Sequence, residues 1–193
     1  MSGLCLDLLP RNLPMPKQYV LAKLPILLPD TAYQEHDKNW QPAGQHRYFY
    51  PARCNNEAST FIDACLQQNS CRYLLVINSN NPTGLQFSVA QLLQWSQCLQ
   101  GGGCLIVDEA FIDSLPTQSL LTEILLENVI VLRSFGKFFG LPGLRLEFVM
   151  GSEALLKTLG QKSVLWSINA PACHIAMKAL ADTAWQQQAR SIL

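Results

Sequence analysis

The stretch Gly101-Gly102-Gly103-Cys104-Leu105-Ile106-Val107-Asp108-Glu109 decides the fold. Four apolar residues run without polar alternation between a glycine helix stop and two acids, which is the pattern of a short strand covered on both faces. Runs of the same kind lie at Tyr73–Asn78 and Val129–Arg133, with further strand candidates at Tyr19–Leu28 and Leu144–Met150. Helical periods fill the gaps. Glu57–Gln68 is expected to bury Phe61, Ala64 and Cys65, and Ser88–Leu99 to bury Leu92, Leu93, Trp95 and Leu99. Ser152-Glu153 reads as a cap for Ala154–Leu159, and Asn169 with Pro171 opens a final helix expected to reach about Gln188. The order βαβαβ predicts an α/β fold: a mostly parallel central sheet with helices on both faces.

The 193 residues suffice for one sizeable core and are short for two independent domains. Charged residues make up 15% of the chain, below the roughly 25% of an average soluble domain, so much of the surface made by these elements expects cover. Fourteen basic residues balance fourteen acids, which leaves no basic stripe for nucleic acid. The apolar stretches are interrupted by Lys23, Pro25, Asp108 and Glu109, well short of the roughly 20 residues of a membrane span. Met1-Ser2-Gly3-Leu4-Cys5-Leu6-Asp7 lacks the basic start of a signal peptide, so a cytoplasmic location is expected. The seven cysteines are odd in number and hold no C-x-x-C pair, which reads as reduced thiols and neither a disulfide framework nor a metal site.

In a parallel sheet, ligands bind beyond the carboxyl ends of the strands. Three polar constellations follow the three central apolar runs: Ser79-Asn80-Asn81-Pro82-Thr83-Gly84, Asp108-Glu109-Ala110-Phe111 and Arg133-Ser134-Phe135-Gly136-Lys137. A lysine desolvated in a small-residue turn can form a Schiff base, and Lys137 is placed for that. A strand-end carboxylate, Asp108, can keep a ring nitrogen protonated, as a pyridinium electron sink requires. Asn81 offers a donor to a phenolate oxygen, and Ser134 with Arg145 offers charge-assisted donors to a phosphate. Singly, each residue has an ordinary reading: Asn-Pro-Thr-Gly as a β-turn, Asp108 as a helix cap, Lys137 as a solvated lysine, Arg145 as a surface ion-pair partner. Their order on successive strand ends favours the joint reading, a pyridoxal-phosphate site.

Those residues carry a resemblance. Asn80-Asn81-Pro82-Thr83-Gly84, Asp108-Glu109-Ala110-Phe111 and Ser134-Phe135-Gly136-Lys137, with Arg145 eight residues on, resemble the fold-type-I class I/II aminotransferase superfamily over about Leu8 to Gly151. The resemblance implies pyridoxal 5'-phosphate as cofactor, held through Lys137, Asp108, Asn81, Ser134 and Arg145, with Lys137 and Asp108 catalytic. It also implies that Tyr33 stacks on the ring and that His36, three residues later, supports the aspartate. Without the family, Tyr33 is a half-buried aromatic and His36 a solvated residue at a helix start. Within the superfamily, Tyr33-Gln34-Glu35-His36 followed by Trp40, Phe111-Ile112-Asp113, and Arg133-Ser134-Phe135-Gly136-Lys137-Phe138-Phe139-Gly140-Leu141-Pro142-Gly143-Leu144-Arg145-Leu146 look like the threonine-phosphate decarboxylase branch of cobalamin biosynthesis. The histidinol-phosphate aminotransferases are its near relatives.

On that resemblance the expected reaction is decarboxylation of threonine phosphate to aminopropanol phosphate, with transamination of the histidinol-phosphate type as the alternative. The implied partners are a phosphate-bearing amino substrate and a second copy of the chain. Three departures stand out. Glu147 occupies a position where the family has Gly, and its bulk is expected to disturb backbone packing. Asp30-Thr31-Ala32 replaces Pro-Thr ahead of Tyr33. Residues 1–193 read as an incomplete large domain, with the family's phosphate-binding Gly-Ser/Thr loop and small domain lacking, so an inactive remnant is the reading from another class.

Overall fold

The computed structural model describes residues 25–41, 46–99, 101–122, 127–161 and 168–193. Its strands are β1 (Ile26–Pro29), β2 (Arg47–Tyr50), β3 (Tyr73–Ile77), β4 (Cys104–Asp108), β5 (Val129–Ser134) and β6 (Glu147–Met150). They form one sheet in the order β2-β1-β3-β4-β5-β6. All neighbours are parallel except β5 and β6, which run antiparallel with Ser134 opposite Glu147. The helices are α1 (Glu35–Trp40), α2 (Asn55–Gln67), α3 (Val89–Cys98), α4 (Glu153–Gly160), α5 (Ala170–Ala181) and α6 (Thr183–Ile192). The expected α/β class and its mostly parallel sheet are observed.

Every residue of β3 and β4 is buried, so side-chain alternation sorts two cores and not a wet and a dry face. Leu74, Val76, Leu105, Val107, Val129 and Val131 pack with Ile62, Leu66, Leu92 and Trp95 of α2 and α3. Leu75, Ile77, Ile106, Ile130 and Leu132 pack on the opposite side with Trp40 of α1 and with Leu155 and Leu159 of α4. Asp108 continues the second row, and Glu109 the first. That parity governs the site.

Capping residues act where their chemistry predicts. The Ser88 hydroxyl accepts from Gln91 N at 3.3 Å and that of Ser152 from Leu155 N at 3.4 Å, while the side-chain Oδ1 of Asn169 accepts from Ala172 N at 2.8 Å. The helix expected to run from Asn169 to Gln188 is instead two helices. Asp182 takes φ −80°, ψ 73° and its carboxylate accepts from Trp185 N at 3.0 Å, so it opens α6 and ends α5. On α2 the buried face is Ala58, Ile62 and Leu66; of the expected Phe61, Ala64 and Cys65, Cys65 packs partly buried against this core, whereas Ala64 is exposed and Phe61 is 40% exposed. Polar contacts with α3 set that rotation: Trp95 Nε1 donates to Asp63 at 2.7 Å, and Gln91 Nε2 to Ser59 Oγ at 2.7 Å.

The remaining strand expectations need small corrections. β1 begins at Ile26, and the part of Tyr19–Leu28 before Pro25 lies outside the described residues, as does Cys5. β6 begins at Glu147 because Pro142–Leu144 forms a 3₁₀ turn. β2, unforeseen in the sequence, is an edge strand of four residues with Tyr48 and Phe49 exposed. The glycines before β4 allow a close approach: a Cβ on Gly103 would lie 2.6 Å from the Leu99 oxygen and 2.7 Å from the Arg72 oxygen. Among the described residues, no helix is long and apolar enough to cross a membrane.

Burial pushes the thiols of Cys71 and Cys104 up to about 12, from 9.0. Three units lower the thiolate fraction roughly 1,000-fold at any pH below both values. Cys54, Cys98 and Cys173 are exposed. A thiol-exchange reagent at pH 8 should therefore label these three first and reach Cys71 and Cys104 only after unfolding, as peptide mass spectrometry would read. Native-state labelling of Cys104 as fast as Cys54 would contradict this burial.

Candidate active site

The carboxyl ends of β1, β3, β4 and β5 bring the sequence-predicted residues to one rim. Asp108 ends β4 and is 2% exposed; its Oδ2 lies 2.7 Å from His36 Nε2, and its Oδ1 accepts from Ala110 N at 3.0 Å. Each carboxylate oxygen thus holds one donor and keeps lone-pair capacity for another. His36 is 3% exposed, which corrects its reading as a solvated helix-start residue. The apolar packing of Trp40 draws α1 onto the sheet and takes His36, one turn earlier on the same helix face, inward with it. Tyr33 precedes the helix half-buried, its ring edge-on to His36 with centroids 6.2 Å apart. A cavity of about 610 Å³ opens beside them, with Leu28, Asp30, Tyr33, His36 and Phe49 in its wall.

The β3 end is built by two buried amides that sequence reasoning did not single out. Asn78 uses both ends of its side chain as a substitute strand: Nδ2 donates to the Phe87 oxygen at 3.1 Å, and Oδ1 accepts from Phe87 N at 2.8 Å. Asn80 Nδ2 donates to the Thr31 oxygen at 2.8 Å and to Thr83 Oγ1 at 2.7 Å. It therefore ties the loop that carries Tyr33 to the turn that carries Asn81. The replacement Asp30-Thr31-Ala32 is accommodated in that tie, since Asp30 Oδ1 accepts from Ala52 N at 2.9 Å. Asn81 itself is exposed, joined to Pro82 by a cis peptide, and makes no side-chain hydrogen bond among the described residues. A signal for Asn78 and Asn80 did exist: polar amides directly after an uninterrupted apolar run sit where backbone partners run out.

Ser134 ends β5 and is 6% exposed. Beyond it the chain turns tightly, because a Cβ on Gly136 would come within 2.9 Å of Pro142 Cα. Gly140 N closes the turn on the Lys137 oxygen at 3.0 Å. Lys137 is exposed, with Nζ 5.3 Å from the ring centroid of Phe111, three residues after Asp108. Stacking of Phe135 on Phe139 at 4.3 Å, and of Phe139 on Trp185 at 5.8 Å, seats the lysine turn against α6. Arg145 is exposed at φ 51°, and among the described residues its side chain has no partner. Glu147 is accommodated as the first residue of β6, opposite Ser134, so the strand forms despite the expected crowding.

Of the seven predicted residues, the structure thus joins His36 to Asp108 directly and Tyr33 to His36. Lys137 lies beside the segment after Asp108. Asn81, Ser134 and Arg145 share the rim without hydrogen-bonding one another. Chemically, the rim offers one buried carboxylate held by an imidazole, one primary amine, one amide, one hydroxyl and one guanidinium. Four of these are donors and the fifth is a carboxylate fixed by its hydrogen bonds, which suits a planar heterocycle bearing a phosphate and a carbonyl carbon.

Comparison with known proteins points the same way. Over 157 residues the chain is 43% identical to the threonine-phosphate decarboxylase of Pseudomonas aeruginosa, covering 81% of this chain and 44% of that protein. It is 27% identical over 143 residues to histidinol-phosphate aminotransferase 1 of Psychrobacter arcticus, covering 72% and 37%. The chain therefore spans less than half the length of these curated relatives. The crystal structure of histidinol-phosphate aminotransferase from Sinorhizobium meliloti in complex with pyridoxal-5'-phosphate superimposes with a TM-score of 0.79 at 21% identity, covering 96% of this chain and 50% of that one. Residues 18–193 match the family of class I and II aminotransferases, and the chain belongs to that family.

Proposed function

We propose that this chain binds pyridoxal 5'-phosphate and supplies the cofactor-binding part of a threonine-phosphate decarboxylase. The observation that carries the cofactor reading is the buried Asp108–His36 pair at the end of β4, with donors on the neighbouring strand ends that hydrogen-bond to no described residue. The donor set fits the group. Asp108 retains acceptor capacity for a ring N–H, Asn81 has an amide that bonds no described residue and could serve the phenolic oxygen, and Ser134 with Arg145 presents a hydroxyl and a guanidinium to the phosphate. Phe111 stands where a tyrosine would add a second donor to the phenolic oxygen, so Asn81 serves that atom alone.

When bound, the cofactor supplies an electron sink for the bond that breaks at the substrate's Cα. The rest is the work of side chains. Asp108 holds the proton on the ring nitrogen, and His36 Nε2 keeps the carboxylate from turning away. Lys137 Nζ would hold the cofactor through its carbonyl carbon and, once released, would be the base and acid that moves a proton at the substrate's Cα. Orientation of the substrate would select the bond that breaks at Cα: departure of the carboxylate as CO2 would be completed by a proton from Lys137 to Cα, and loss of the Cα proton to Lys137 would lead to transamination. The higher identity to the decarboxylase favours the first, with aminopropanol phosphate as product and a place in cobalamin biosynthesis. The match to the aminotransferase supports the second as the alternative. Family resemblance extends the proposal to a homodimer in the cytoplasm, acting on a small phosphate-bearing amino compound.

Two measurements test this. Adding pyridoxal phosphate to the purified chain should produce a visible absorbance band that Lys137→Ala abolishes; no band with the unaltered chain would leave only the inactive-remnant reading. Incubation with threonine phosphate should release CO2, and a keto acid without CO2 would move the reaction to the aminotransferase branch. His36→Leu leaves Asp108 Oδ2 without its buried donor. It should lower unfolding free energy by about 1–3 kcal/mol in urea titration and weaken cofactor binding, while an unchanged midpoint and affinity would remove His36 from its supporting role.

A further inference from the structure

A second buried acid lies next to the first. Glu109 is fully buried, and because successive residues of an extended chain point to opposite sides, it faces away from the rim that Asp108 serves. Its Oε2 accepts from Ser119 Oγ at 2.6 Å and from Arg133 Nη1 at 3.2 Å, and its Oε1 accepts from Leu120 N at 2.7 Å. Arg133 Nη1 also reaches Ser119 Oγ at 3.2 Å, and its Nη2 donates to Asp113 Oδ1. From α6, Arg190 Nε donates to the Asp113 oxygen at 2.8 Å, with its guanidinium 5.3 Å from the Phe138 ring. None of these groups belongs to the rim itself.

The placement matters more than the ion pairs. Glu109 is bonded in sequence to Asp108, and Arg133 to Ser134, so the pair spans the two strand ends that carry the rim's carboxylate and hydroxyl. Past Asp108 the two strands share one backbone hydrogen bond, Glu109 N to the Leu132 oxygen at 2.8 Å. Beyond that, the Arg133 contacts and the Lys137–Phe111 contact bridge the segments that follow. A guanidinium fork closing on two carboxylates fixes both distance and angle, whereas a single ammonium fixes distance alone.

We propose that Arg133 is a positioning residue for the cofactor rim: by closing on Glu109 and Asp113 beneath the sheet end, it sets the spacing between Asp108 and the Ser134–Lys137 turn, and with it the affinity for pyridoxal phosphate. This rests on the cofactor reading above. Misplacement of a constellation by fractions of an ångström lowers affinity without unfolding the scaffold. The network touches Phe138 through Arg190, so the seat of α6 enters the same restraint.

The test compares the unaltered chain with Arg133→Met, Arg133→Lys and Asp113→Asn by two readouts, amide hydrogen exchange without cofactor and absorbance titration with pyridoxal phosphate. Asp113→Asn weakens one arm at the partly exposed end by removing its charge, and guards against an Arg133→Met chain that fails to fold. Exchange should quicken at Ala110, Ile112 and Phe135 and stay unchanged at Leu74–Val76, with the dissociation constant rising at least about tenfold for Arg133→Met and less for Arg133→Lys and Asp113→Asn. Unchanged rim exchange, or quickening spread equally through β3, would overturn the proposal, the latter by showing a role in general stability only. If the unaltered chain takes up no cofactor, the functional reading fails while the exchange comparison still decides whether Arg133 holds the rim.

Discussion

Two adjacent carboxylates end the central strand, and both are buried. Isolated in an apolar interior, either charge would cost several kcal/mol, so each must find partners on its own side of the sheet. Asp108 finds His36, brought in by α1. Glu109 finds Ser119, the Leu120 amide and Arg133. These requirements dictate much of the surrounding architecture: α1 must lie on one face, the three short 3₁₀ turns Ile112–Ser114, Pro116–Gln118 and Leu120–Thr122 must fold back beneath the other, and β5 must carry an arginine one residue before its rim serine. The strand end is therefore a junction where both layers of the α/β sandwich are pinned to the same dipeptide.

That constraint explains what could be read in the sequence and what could not. Strands β3, β4 and β5 were legible because burial on both faces leaves runs such as Leu74-Leu75-Val76 without polar alternation, and caps such as Ser88, Ser152 and Asn169 were legible because their bonds are local. Asp182 was missed although its cap is equally local, since an aspartate inside an otherwise helical period can also point to solvent. The rotation of α2 was not legible. Two sets of positions fit a helical stripe, and the choice between them rests on Asp63 and Ser59 meeting α3, contacts some thirty residues apart. β2 has the same cause, a short edge strand that exists because β1 offers it a parallel partner.

The site divides along a similar line. Lys137, Asp108 and Asn81 stand out because chemistry-bearing residues at strand ends have few structural uses in common. The buried state of His36 could not be read from periodicity, because α1 is barely two turns long and its inward face is set by Trp40 packing beside Tyr73 at 5.7 Å. Arg133 and Glu109 look like ordinary surface charges in the sequence. Only the register of β4 against β5 puts them within reach of each other.

Burial and partnering separate the polar groups of the rim into two populations. Asn78, Asn80, His36 and Glu109 are buried and hydrogen-bonded within the chain. Asn81, Lys137 and Arg145 are exposed, and their side chains hydrogen-bond to no described residue. A group that must meet a ligand keeps its donors solvated until then, because a donor already satisfied by the protein would have to break one bond to form another. Solvation, however, leaves such a group free to wander. The buried amides and the Glu109–Arg133 pair remove that freedom from the backbone beneath, so that Asn81 hangs from a turn fixed by Asn80, and Lys137 from a turn bracketed by Gly136, Phe139 and α6. The exposed groups of the rim thus stand on backbone fixed by buried partners, and that packing is as much a part of the candidate site as the groups that face outward.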